Sequence, residues 1–336
     1  MTKPLVTVSS KGIMVEHNGM QIALDPNKSV DADVVFVSHA HADHLHTPNN
    51  GEKILTSFET SKLAGARGYN MENFKESLDG FELIDSGHIL GSRGLLIDGK
   101  IFYTGDVSIR DRAFLKGAKI PRCKMLILES TYGKPEFKFP SVKEITDSAN
   151  KIISNLYSKG MPAILMGYPL GKAQILTSMF KHWSPIYLHD SVYRMNQVYN
   201  EFGIDLGDAL PYSQAEEDNL LNKKPWIMIA PKMSSGTRFV AEMKDRYNAV
   251  TIGFSGWAVA NWYKYSSDLD YALPLSDHCD FDELVSIVKA CDPSKVYTFH
   301  GYAAELAVQL NKLGYHSESL VRGNYQLSDF PMSHED

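Results

Sequence analysis

The chain has no long apolar run, few cysteines and no excess of positive charge, and each shortage removes a class of protein. No apolar stretch approaches the roughly 18 residues a membrane-spanning helix needs, and the opening MTKPLVTVSSKG lacks the apolar core of a signal peptide. The expected setting is the cytoplasm, with no membrane partner. The 3 cysteines, Cys123, Cys279 and Cys291, are odd in number and form no CxxC pair, which fits free thiols in a reducing compartment better than a zinc ribbon. Lys and Arg number 34 against 40 Asp and Glu, a formal net charge of −6. A broad basic face for duplex nucleic acid is therefore not built in, and attraction for phosphate has to come from a local field. Biased segments and repeats of roughly 20 to 50 residues are also missing. What remains is ordinary globular composition, 43% hydrophobic and 22% charged, in a chain able to bury one large or two moderate cores.

The first 130 residues read as short strands separated by turn signals. LVTVSSKGIMVEHNGMQIALDP holds three β-like runs broken by Lys-Gly and Asn-Gly, and Asp98-Gly99 marks another hairpin. ILTSFETSKLAGARGY reads as a strand and a helix, and KMLILES as a closing strand. The middle changes texture: SVKEITDSANKIISNLYSKG has helical spacing and a Lys-Gly stop. PAILMGYPL, GKAQILTSMFKHW, PIYLHD, VYRMNQVYNEFG and WIMIAP then alternate strand and helix as in a parallel sheet. From about residue 250, AVTIGFSGW, YALPLSDHCD and KVYTFH return to strands.

Against this background stands VSHAHADHLH, residues 37 to 46, with four histidines and one aspartate directly after the apolar run DVVFV. A strand end followed by a tight turn aims alternate side chains at one point, and imidazole with carboxylate is a metal-binding donor set. His39, His41, Asp43 and His44 are the candidate ligands. Other isolated polar residues end apolar runs in the same way: Asp25 in IALDP, His88 in DSGHILGS, Asp106 in YTGDVS, Glu129 in LILESTYG, His278 in LSDHCD and His300 in YTFHGY. Any one of them alone reads as a hydrogen-bonded strand terminus. Their shared setting points to one centre, with more ligands than the four a closed structural zinc site uses.

HxHxDH, followed at a distance by a lone His and then Gly-Asp, resembles the metallo-β-lactamase fold, an α/β four-layer αββα sandwich with a dinuclear metal site. The acidic Glu129, the Ser276-x-His278-x-Asp280 setting and the late His300-Gly301 resemble the β-CASP nucleases. ESTYGKPEF, GYPLGKAQ, LHDSVYRMNQVY, GFSGW and LSDHCDF are most similar to the DNA ligase-associated DNA exonucleases, relatives of Artemis, although this chain reads TFHGY at its last motif. The resemblance implies a discontinuous metallo-β-lactamase domain, residues 1–135 and 250–336, and an inserted β-CASP domain, 136–249, with a parallel sheet and helices. It implies two divalent ions, zinc or manganese. His39, His41 and His88 hold one, Asp43, His44 and His300 the other, Asp106 bridges them, and Asp25 orients a ligand imidazole. His278 paired with Glu129 protonates the leaving oxygen.

The function implied is hydrolysis of the nucleic-acid backbone, favouring DNA ends in repair, with a DNA ligase or helicase as associate. RNA cleavage of the messenger 3′-end processing type is the alternative, since that branch keeps the histidine found here at His300. A small-molecule hydrolase suits the inserted segment less well, and a non-enzymatic subunit conflicts with the complete ligand set. For substrate binding, Ser234, Ser235 and Gly236 in PKMSSGTR, and Lys172 at a helix start, are expected to grip a backbone phosphate. Trp257 and Tyr132 are candidates either for stacking on a base or for packing between domains. His46 is expected on a loop or the surface, outside the ligand set, and His182 and His189 to be structural, with His189 a lesser candidate for substrate contact.

Overall fold

A computed structural model describes residues 5–9, 11–49, 51–71, 73–260, 262–263 and 268–320. Their strands form three six-stranded sheets. The first opens as a meander of Leu5–Ser9, Gly12–His17 and Met20–Leu24. Asn18 and Gly19 between the last two both take positive φ, the requirement of a two-residue hairpin turn. Val34–Phe36, Ile54–Leu55 and Phe74–Lys75 then extend the sheet in parallel. In the second sheet Phe81–Asp85, Arg93–Ile97 and Ile101–Tyr103 run antiparallel. Met125–Glu129, Lys295–Phe299 and Ser317–Ser319 join them in parallel.

The apolar faces of these two sheets meet in one core. Ile22, Leu24 and Phe36 of the first sheet pack with Leu95, Tyr103 and Ile127 of the second. Helices Phe281–Cys291 and Ala303–Lys312 cover the outer face of the second sheet through Leu284, Val288, Leu306 and Leu310. Helix Phe58–Ala66 packs beyond the first sheet through Leu63 and Ala64, against Ile54. The result is helix, sheet, sheet, helix, the expected αββα sandwich.

The third sheet is wholly parallel, and its strands alternate between two cores. Ala163 and Leu165 face helices Val142–Ser158 and Lys172–Phe180, whereas Ile164 and Met166 face helices Tyr212–Glu217 and Arg238–Tyr247. Val142–Ser158 begins with a full capping box between Ser141 and Glu144, which satisfies two otherwise orphaned N–H groups. The far boundary of the inserted segment differs from the expectation. Val250–Phe254 and Tyr271–Leu273 were expected outside the inserted segment, but they pair with Ala163–Gly167 and with each other inside the third sheet. Apolar strands carry no mark of which sheet they join, because pairing partners are distant in sequence.

The third sheet docks on the sandwich through the turn after Ala163–Gly167. Gly171 lies at φ +92, and a Cβ there would collide with Ile89, so only glycine permits this approach. Lys172, expected to meet phosphate, instead buries its ammonium. Nζ donates to Asp277 Oδ1 and to the Leu275 carbonyl, both at 2.8 Å. The reason is geometric: the first helical turn points into the interface with the segment 275–277, where a buried carboxylate is waiting. Among the described residues no helix is long and apolar enough to cross a membrane. All three cysteines are buried and free.

Removing one partner of a buried pair strands the other charge, at a cost of about 3–5 kcal/mol. Lys172→Met should therefore lower the unfolding free energy of the metal-free protein by that order in a urea titration. The double variant Lys172→Met, Asp277→Asn should recover part of the loss.

Candidate metal centre

The ligand candidates gather where strands of the two packed sheets end. Val34–Phe36 leads into the turn carrying His39, His41, Asp43 and His44, with Ala42–His44 as a single 3-10 turn. Ile101–Tyr103 leads into Gly105 and Asp106. Gly105 has φ +55, and a Cβ there would lie 2.8 Å from Ser38 Cβ, so glycine lets the two ligand loops touch. His88 sits on the loop joining Phe81–Asp85 to Arg93–Ile97. Buried Arg112 ties that loop down, donating to the carbonyls of Gly87, His88 and Ser276.

His39, His41, His88 and Asp106 form one buried grouping. His41 Nδ1 lies 3.0 Å from His39 Nε2 and 3.2 Å from His88 Nε2. Asp106 Oδ2 is 3.5 Å from His39 Nε2 and 3.6 Å from both His88 Nε2 and His44 Nε2. A second grouping joins Asp25, His39 and His44, and a third joins Asp106, Glu129 and His278. Asp106 therefore links the first and third groupings, with His44 at the same distance from it.

The far nitrogen of each imidazole decides what its near nitrogen offers. His41 Nε2 donates to the Leu170 carbonyl at 3.0 Å, and His88 Nδ1 to the Asp277 carbonyl at 3.0 Å. His44 Nδ1 donates to Asp25 Oδ2 at 2.8 Å. Ser38 Oγ donates to Asp25 Oδ2 at 2.5 Å and so is left to accept from His39 Nδ1 at 2.9 Å. Each neutral ring has one N–H, and that N–H is used outward. The inward nitrogens of His39, His41 and His88 then carry lone pairs, gathered with the Asp106 carboxylate in one grouping. Asp106 Oδ1 is buried and has no hydrogen-bond partner, which in a protein interior calls for a further group. A tetrahedral ion with bonds of about 2.0–2.1 Å sets its ligands about 3.3 Å apart, near the nitrogen spacing here. The donor set fits a divalent cation.

The electrostatics agree. Burial, helped by neighbouring imidazoles, holds His39 and His88 well below the usual histidine range, and burial brings His41 down to about 4. These rings stay neutral and ligating at neutral pH. Burial alone would also lower His44, but the carboxylates of Asp106, Asp43 and Asp25 push it well above the usual value. Positive charge is thus favoured at its Nε2.

The remaining candidates are placed less uniformly. Asp43 stands at the rim, 60% exposed, with Oδ2 3.7 Å from His44 Nε2. His300 follows Lys295–Phe299 with an exposed side chain and φ +61. It joins no ligand grouping among the described residues, but lies near enough to act electrostatically on Asp43 and Asp106. A non-glycine residue in that backbone region marks a position held by its surroundings, and Ser130 Oγ grips its carbonyl at 2.6 Å. Glu129 is fully buried and accepts from Val107 N–H, Thr131 N–H and Thr131 Oγ1 as well as pairing with His278 Nδ1 at 2.9 Å. Burial opposes both charges of this pair, yet their mutual attraction holds Glu129 below and His278 above their ordinary values. His278 Nε2 is left 4.0 Å from Asp106 Oδ2.

Outside the cluster, Ser234, Ser235 and Gly236 lie on the loop between Ile227–Pro231 and Arg238–Tyr247 and hydrogen-bond to none of the ligands. His46 lies on a loop, as expected, but its ring is turned inward and buried against Glu52 at 2.8 Å. His189 Nδ1 accepts from Ser191 N–H at the start of helix Asp190–Glu201, while His182 is exposed. Tyr132 is buried against Trp257, with ring centres 4.6 Å apart. Ser38, Tyr103 (which donates to Asp25 Oδ2 at 2.8 Å), Thr131, Leu170, Asp277 and Arg112 were missed by the sequence reading. Ser38 and Asp277 adjoin quoted motifs, a usable signal. Leu170 also lies within a quoted motif, but nothing local marks Arg112, whose part depends on distant backbone.

No family model matches the chain. It is 32% identical over 305 residues to a probable DNA ligase of Opitutus terrae, covering 86% of this chain but only 29% of that protein. It is 24% identical over 350 residues to an RNase J-like protein of Methanocaldococcus jannaschii, covering 82% of each. A crystal structure of a protein of unknown function from Enterococcus faecalis shares the fold, with a TM-score of 0.60 at 15% identity over 96% of this chain and 97% of that one. Over most of its length the chain is similar to nucleases of the β-CASP branch of the metallo-β-lactamase fold.

Proposed function

We propose that the chain is a metal-dependent phosphodiesterase that hydrolyses the nucleic-acid backbone, acting on DNA ends. The observation that carries this reading is the Asp106 carboxylate, shared between a three-histidine grouping and the His278–Glu129 pair. In this reading His39, His41 and His88 hold one divalent ion and Asp43, His44 and His300 a second, with Asp106 common to both. Zinc suits the imidazole-rich set, with manganese as the alternative. When bound, such ions lower the pKa of water and offset charge building on a phosphate. His278, kept protonated by Glu129, carries a proton on Nε2 beside the shared carboxylate and is placed to deliver it to the leaving oxygen. Asp25 holds the His44 ring, and the Leu170 and Asp277 carbonyls hold His41 and His88, so the lone pairs stay aimed inward.

The likeness to a protein named as a probable DNA ligase supports DNA as the polymer and a ligase as the working associate, although the chain spans less than a third of that protein. RNA is the second reading, favoured by the match to a protein named RNase J-like, which covers 82% of that protein. The strand pairing supports an inserted domain running from 136 to about 273 rather than 249.

Matched DNA and RNA strands, labelled at either end and mixed with metal-reconstituted protein, test the polymer and the direction together. Hydrolysis of DNA, lost to background with a chelator and in His41→Ala and Asp43→Ala, is expected; undiminished cleavage by either variant refutes the assignment. Asp25→Ala should weaken metal binding about 10- to 100-fold, read by competition with a chromogenic chelator. Hydrolysis of a thiolester far faster than either polymer would contradict the proposal.

A further inference from the structure

Three neighbouring strands of the parallel third sheet end on one side. Ile227–Pro231 leads to Lys232, Ala163–Gly167 to the turn whose Leu170 carbonyl meets His41, and Val250–Phe254 to Trp257. Ligands of parallel sheets collect at this end. A row of rings runs outward there from the metal centre. His278 is 6.1 Å from Tyr132, Tyr132 is 4.6 Å from Trp257, and Trp257 is 6.1 Å from Trp262. Tyr132 is enclosed and Trp257 half-buried, whereas Trp262 is 53% exposed. Cations flank the row: Lys232 Nζ lies 4.8 Å over the Tyr263 ring, and Lys134 Nζ, 3.7 Å from Glu305, lies 4.1 Å over Tyr302, itself 6.2 Å from Trp257.

A lone exposed indole is ordinary. One that continues an aromatic row starting at a candidate proton donor, beside ammonium groups, has the composition of a single-strand platform, in which bases stack and cations follow the backbone. The net charge of −6 makes stacking the more useful source of affinity, since it does not depend on counterion release. We infer that Trp257 and Trp262 form a stacking platform for unpaired bases of the strand whose backbone passes His278, with Lys232 beside its phosphates. This rests on the nuclease reading for its polymer, and deepens it by assigning the strand's path and its single-stranded state.

The test uses the full chain in excess EDTA, so that binding is read without cleavage. The probes are a fluorescein-labelled oligothymidylate and the same backbone carrying abasic residues, followed by anisotropy. Wild type should bind the thymidine strand more tightly, and Trp262→Ala should weaken that binding about five- to a hundredfold while leaving the abasic strand nearly unchanged. Trp262→Phe should restore much of the loss. Lys232→Ala should weaken both strands, with an effect that shrinks as salt rises. Equal binding of the two strands by wild type, no binding of either, or an unaltered Trp262→Ala overturns the platform. So does a Trp262→Ala whose only change is loss of self-association in sedimentation, which would make the indole a protein contact. A wild type that prefers the thymidine strand in EDTA yet cleaves neither DNA nor RNA once loaded sinks the nuclease reading and supports the platform.

Discussion

The carboxylate of Asp106 is the constraint around which the centre is arranged. One oxygen is approached by the Nε2 atoms of three imidazoles within 3.6 Å and by that of His278 at 4.0 Å, and the other has no partner, although both are buried. An anion so placed is costly without a compensating charge. His39, His41 and His88 do not supply it by donating, because their N–H groups are spent on Ser38, Leu170 and Asp277; His44 and His278, both held above the usual histidine range, supply only part of it. The arrangement makes sense as a cation site prepared in advance by its outer hydrogen bonds.

Those outer bonds also tie the inserted sheet to the chemistry. Leu170 orients His41, and two residues on, Lys172 anchors Asp277, whose carbonyl orients His88. The third sheet is therefore part of the wall of the centre. A shift of the turn at Gly171 would disturb two ligand rings at once, since packed interfaces do not deform continuously. Arg112 acts from the opposite side, binding the His88 loop to the segment before His278. Its buried charge faces backbone carbonyls, and its Nε has no partner.

Much of the fold was legible because it rests on local physics. Asn18-Gly19 and Asp98-Gly99 turn where their dihedral freedom predicts. The helix Val142–Ser158 starts at its capping box and stops before Gly160. The unbroken apolar run of Ala163–Gly167 fits a strand covered on both faces, and its side chains enter two cores. The ligand types were legible as well, because a strand end and a short turn can converge only a few side chains, and the chain put imidazoles there. Lys172 was misread because helix starts attract anions of either origin, and a carboxylate within the protein reached it first.

The sequence by itself determined the inventory: which donors exist, at which strand ends, and the period that makes those strands and helices. Only the tertiary structure decided which nitrogen of each histidine faces the centre, that Lys172 is buried rather than free, and that Val250–Phe254 and Tyr271–Leu273 belong to the third sheet. Turns, caps and periodicity depend on neighbours a few residues apart. Tautomers, ion pairs and sheet membership depend on groups that only the fold brings together: the Leu170 carbonyl lies 129 residues from His41, the Asp277 carbonyl 189 from His88, and the Asp277 carboxylate 105 from Lys172.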